Sequence, residues 1–94
     1  MIKYYCKPIK RYVCFIYSTT NYPRVLMIAH TTGEVLGCIT MPFSSRRENC
    51  AYINSKDYPW LYAWLIEKDI AHPTYHSVSR NNFVYEEFKF KKEI

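Results

Sequence analysis

Asp57-Tyr-Pro-Trp-Leu-Tyr-Ala-Trp-Leu-Ile-Glu-Lys-Asp69 is the one stretch of this chain that reads as helix, and residues that favour strands surround it. At about 100° per residue, Tyr58, Leu61, Tyr62 and Leu65 share a face, with Trp64 on its edge. Trp60, Ala63 and Glu67 point the other way. Asp57 is placed as N-cap, its carboxylate accepting from first-turn N–H groups. Pro59 is tolerated that early because those N–H groups lack intrahelical partners. The helix is expected to stop near Asp69, since Pro73 forbids much more, and Ile70 to pack back under it.

Outward from the helix the pattern is β. Tyr12–Tyr17 is rich in strand formers and ends in the loop signal Ser18–Pro23. Val25–Ala29 is nearly all apolar, as suits a central strand buried on both faces. Gly33 can take the positive-φ position of a short hairpin loop, so Val25–Ala29 and Val35–Thr40 are expected to pair directly. Gly37 inside the latter marks a bulge or a close packing contact. Met41–Asn49 reads as an exposed, basic loop, and Cys50–Asn54 as a short strand. Tyr75–Arg80 fits no pattern cleanly. Asn82–Phe90 is a strand with a phase slip: Phe83 and Tyr85 are odd, Phe88 and Phe90 even. A bulge at Glu86-Glu87 would restore one inward face. The expected fold is therefore α+β, one domain over residues 1–94. It has a single antiparallel sheet of about five strands, with one helix (about Asp57–Asp69) packed on one face.

The chain has 94 residues, enough for one core. It is 49% hydrophobic and 22% charged, which excludes a disordered chain. Charge is uneven. Residues 1–47 hold seven Lys/Arg against Glu34, and residues 48–94 hold six against seven acids, giving +6 and −1. A basic half suits a phosphate backbone or an acidic protein face. The longest early apolar run, Tyr12–Tyr17, is too short for a signal segment. No run approaches the roughly 20 apolar residues of a membrane span. Cys6, Cys14, Cys38 and Cys50 are expected as thiols in a reducing compartment, each beside apolar residues.

Enzyme chemistry finds little footing. His72 and His76 have H-x₃-H spacing, but no C-x₂-C pair accompanies them, so no metal or other cofactor is expected. Cys50 follows Arg46-Arg47, which could lower its pKa, yet no Cys–His signature supports a nucleophile. Glu86-Glu87 is weighed as a bulge or a solvated face. Gly33 and Gly37 form no phosphate-cradling motif. Two surface signals remain. Lys3–Tyr12 alternates cations with rings, as a single-strand binder does, though lysines guarding an edge strand give the same pattern and are the commoner cause. Arg46-Arg47 could extend that surface. Trp60 is either an exposed hot-spot anchor or a ring folded back over the Pro73 loop.

Gly33-Glu34, Ile39-Thr40, Ala51–Asn54, Pro59 with Trp64-Leu65 and Ile70, and Asn82-Phe83 with Tyr85 and Phe88 resemble a family of short proteins of unknown function. Its members occur in phages and bacterial mobile elements. The similarity spans about Thr31–Phe90, and Asp69 stands where a glycine helix stop is expected. The resemblance implies an α+β fold and a mobile-element context, and brings no active site. The expected function is accordingly a small non-enzymatic interaction protein in the host cytoplasm. It would bind and inhibit a host protein or protein–nucleic-acid complex, in the sharpest version a CRISPR-type host-defence nuclease. The alternative is a basic single-stranded nucleic-acid-binding protein. Candidate partner-binding residues are Lys7, Lys10, Arg11, Arg46, Arg47 and Trp60. No membrane contact is expected, and a homodimer through a sheet edge stays open.

Overall fold

A computed structural model of the chain describes residues 2–18, 24–43, 45 and 47–94, with Ser18 described by its backbone alone. Among the described residues seven strands and one α-helix follow in the order β1 (Tyr4–Cys6), β2 (Arg11–Ser18), β3 (Arg24–Ala29), β4 (Val35–Cys38), β5 (Cys50–Tyr52), α1 (Leu61–Glu67), β6 (Ala71–Arg80) and β7 (Phe83–Phe90). They form two antiparallel sheets, β1-β2-β3-β4 and β5-β7-β6, in place of the single sheet of about five strands expected from sequence. An isolated bridge, Thr40 to Ile53, joins the sheets. Beside it, Met41 N–H donates to Tyr52 O at 2.7 Å and Asn54 N–H to Ile39 O at 2.8 Å. Both sheets and the helix share one buried cluster that includes Phe15, Met27, Ile39, Leu61, Trp64, Phe88 and Phe90.

The hairpin from β3 to β4 forms as expected. Gly33 has φ 77°, and its N–H donates to Ala29 O at 2.8 Å. Gly37 meets both expectations placed on it. The β3–β4 register shifts beside it, between Met27 and Ile28. A Cβ there would fall 2.1 Å from Tyr58 Oη.

The helix is shorter than its sequence suggests. Asp57 caps no helix: its backbone N–H donates to Asn54 Oδ1 at 3.3 Å, and its carboxylate accepts from Asn54 Nδ2 at 3.1 Å. This local side-chain turn competes with capping, and α1 starts only after Pro59 and Trp60. Leu61, Trp64 and Leu65 are its buried residues. Tyr62 is left at the margin, its ring edge-on to Phe88 at 4.9 Å. At the other end Ile70 N–H donates to Leu65 O and Asp69 N–H to Ile66 O, each at 3.0 Å. That pair of bonds is the Schellman arrangement, which needs a left-handed residue after the helix. Asp69 supplies it at φ 56°, in place of the expected glycine. Ile70 is fully buried behind it.

The remaining corrections concern the second sheet. Residues 71–80, unassigned in part and containing Pro73, form β6. It is an edge strand, where a proline without an N–H is tolerated. Asn81 and Asn82, both left-handed at φ 52° and 64°, turn it into β7 in the manner of a two-residue hairpin loop. No bulge interrupts Glu86-Glu87. The irregularity lies on β6, where Thr74–His76 occupy the gap between the pairs Pro73–Phe88 and Ser77–Glu86. The apparent phase slip has another cause, because both faces of β7 are covered. Phe88 and Phe90 enter the core, whereas Tyr85 and Glu87 are buried on the opposite face. There Phe43 lies 5.3 Å from the Tyr85 ring and 6.3 Å from Tyr52. The segment read as an exposed loop is therefore partly a lid on this sheet.

Candidate functional site: an aromatic groove and a buried carboxylate

β1 leads into a single 3₁₀ turn, Lys7–Ile9, with Pro8 in its first positions. Lys10, left-handed at φ 54°, closes the corner by donating its N–H to Lys7 O. This corner sets Tyr5, Lys7 and Pro8 opposite Trp60, Trp64 and Lys68 across a surface groove of about 610 Å³. That volume lies in the usual range for ligand-sized sites. The floor is aromatic. Trp60 packs between Tyr58 and Trp64, 5.8 Å from each ring, and Trp64 continues to Phe15 at 6.1 Å. Trp64 Nε1 donates to Tyr5 O at 3.2 Å, so the helix also seals a carbonyl of the β1 edge. Trp60 is thus half-buried in a ring stack, because it precedes α1 and helical phase does not govern it.

No protein family, curated protein or solved structure matches this chain.

Of the six residues singled out from sequence, Lys7 and Trp60 meet in the groove. Lys10 stands exposed at the corner beside it. Arg11 pairs with Glu34 at 3.8 Å. Arg46 lies outside the described residues. Arg47 belongs to a different cluster, on the outer face of the second sheet. Its Nε is 4.0 Å from Glu87 Oε1 and its Nη2 is 2.5 Å from His76 Nε2.

Glu87 organises that cluster. It is 3% exposed, and its carboxylate accepts from Ser45 Oγ and Thr74 Oγ1, each at 2.6 Å. Such short O–H bonds to a carboxylate are the charge-assisted kind. One buried side chain therefore ties Ser45 to the β6 bulge. Sequence offered a partial signal, since Glu87 shares strand parity with Phe83 and Tyr85. Its partners Ser45 and Arg47 come from far along the chain.

Cys50 is not the activated thiol considered above. Burial pushes its pKa up, the Glu87 charge adds to this, and Lys89 and Arg47 pull less strongly the other way. His72 and His76 face different partners, with His72 Nε2 lying 2.5 Å from Asp69 Oδ1. Among the described residues no three His, Cys, Asp or Glu side chains gather as a metal site. Near the N-terminus Lys3 Nζ sits 4.8 Å from the centre of the Tyr12 ring, which meets Tyr5 at 5.2 Å. Lys3 and Tyr5 thus lie at the β1 edge, against Tyr12 of the neighbouring strand β2.

Proposed function

We propose that this protein is a non-enzymatic interaction module that takes a partner protein into the groove between the Lys7–Ile9 corner and α1. One observation supports this above others: Lys7 and Trp60, far apart in the chain, converge on one aromatic-floored groove. A half-buried tryptophan beside a second one is the composition of an interface hot spot. Lys7 and Lys68 stand on opposite walls, with Glu67 the one acid among the lining residues. The partner segment that fits is an apolar side chain followed by a carboxylate. On the expectation from sequence that the chain resembles mobile-element proteins, the partner in this proposal is a host protein, inhibited by occupation. A basic inhibitor would cover an acidic surface or a protein–nucleic-acid complex such as a host-defence nuclease.

The test is capture from a bacterial host extract, with the chain as bait and Trp60→Ala and Lys7→Glu beside it. The wild type retains a stoichiometric protein. Truncating a hot-spot tryptophan costs about 2 kcal/mol or more, so Trp60→Ala loses about 30-fold in affinity. Lys7→Glu, a surface change, weakens capture without altering the fold. Retention of nothing stoichiometric by the wild type, or equal capture by both variants, overturns the proposal.

A further inference from the structure

The outer face of the β5-β7-β6 sheet carries a second surface, independent of the groove. On β6, Tyr75 occupies the left-handed region at φ 69°, and the residue is 86% exposed. A bulky residue is seldom held there, and such strain collects where a side chain is being aimed. The bulge is fixed from beneath. Thr74 Oγ1 donates to buried Glu87 and lies 3.4 Å from the His76 N–H, while Ser45 takes the other carboxylate oxygen. Glu87 is closed off from solvent, so its role is to position. What reaches the surface is the Tyr75 ring, the half-exposed Arg47 guanidinium and the His76 imidazole.

Basic residues continue along the same face. Lys89 follows Glu87 by two positions on β7, which sets both side chains on one side of the sheet. His72 lies across from Lys89 on β6. Lys89, Lys91 and Lys92 surround a depression of about 400 Å³. Lys91 is engaged by Asp69, and Glu48 is the one acid lining the depression. At the other end Arg80 lies 5.2 Å over the Phe43 ring. An exposed tyrosine on the edge strand β6, with exposed cations on and just after the neighbouring strand β7, matches the chemistry of a flexible polyanion with aromatic faces. A duplex would keep its bases away from such a ring, and an acidic peptide would leave the ring without a stacking partner.

We infer that this face binds single-stranded nucleic acid, with a base stacked on Tyr75 and phosphates held by Arg47, Lys89 and Lys92. The test is fluorescence anisotropy of a labelled oligothymidine titrated with the full chain across a salt series. Three phosphate contacts give a log–log salt slope of about −2, and Arg47→Gln or Lys89→Gln each makes it shallower by about 0.7. Tyr75→Ala weakens binding by roughly 5- to 150-fold and leaves the slope unchanged, as loss of one stacked base does. Trp60→Ala binds the oligonucleotide like the wild type, which separates this surface from the groove. Lack of binding at low salt, wild-type affinity in Tyr75→Ala, or a duplex of equal length binding as tightly would each overturn the inference.

Discussion

Replacing Glu87 by alanine removes the acceptor on which Ser45 and Thr74 both depend. Each hydroxyl donates to the carboxylate at 2.6 Å. A hydrogen bond to a charged group contributes about 1.5–3 kcal/mol net of desolvation. Ser45 and Thr74 are only half-buried and can regain water, so the lower figure applies to each. Their sum is about 3 kcal/mol. Arg47 adds little, because it is 4.0 Å away and its side chain is 54% exposed. Glu87→Gln keeps the shape and both contacts as neutral bonds, and is expected to cost about 1 kcal/mol. Urea unfolding followed by tryptophan fluorescence measures both. With a slope of about 1–1.5 kcal/mol per molar, the alanine midpoint falls by about 2–3 M and the glutamine midpoint by under about 1 M. An alanine variant within about 1 kcal/mol of wild type would refute the view that this carboxylate holds loop and bulge together. Equal losses in the two variants would show that charge, and not bond geometry, is what matters.

Asp69 has its pKa held below the ordinary carboxylate value, first by its bond from Lys91 and then by His72. A depressed carboxylate stabilises the fold above its unfolded value, and that share is lost as pH falls through the folded value. Melting temperature followed below about pH 4 is therefore expected to fall more steeply in wild type than in Asp69→Asn. Gly37→Ala places a methyl 2.1 Å from Tyr58 Oη. A loss of about 1–3 kcal/mol is expected, and Tyr58→Phe, which deletes that oxygen, should recover part of it in a double-mutant cycle. Cys6, Cys14 and Cys50 are buried, and burial raises the pKa of Cys6 and Cys50. An aromatic disulfide reagent should therefore label half-buried Cys38 first in native protein, and the others only on unfolding. Rapid native labelling of Cys50 would contradict its burial.

What local chemistry sets was legible in advance. The apolar runs of β2 to β4, the Gly33 turn, the stripe of Leu61 and Leu65, and the burial of Ile70 follow from side-chain type and spacing. The left-handed pair Asn81-Asn82 was not legible: from sequence Asn82 opens the following strand, and Tyr75–Arg80 fits no pattern cleanly. Lys7 and Trp60 could each be named from sequence as surface candidates. Their meeting in one groove could not, because the corner after β1 and the start of α1 are brought together only by the shared core.

The sequence by itself determined the α+β class, the paired strands β3 and β4 and the existence of the single helix, since each depends on neighbours within a few residues. Tertiary structure alone decided that the strands divide into two sheets. It also decided that Pro73 sits on an edge and that Glu87 is buried with Ser45 and Thr74 as its donors. The fate of a charged residue depends on which distant donors reach it, and the inward face of a strand on what covers its other side. Neither is written in the strand's own alternation.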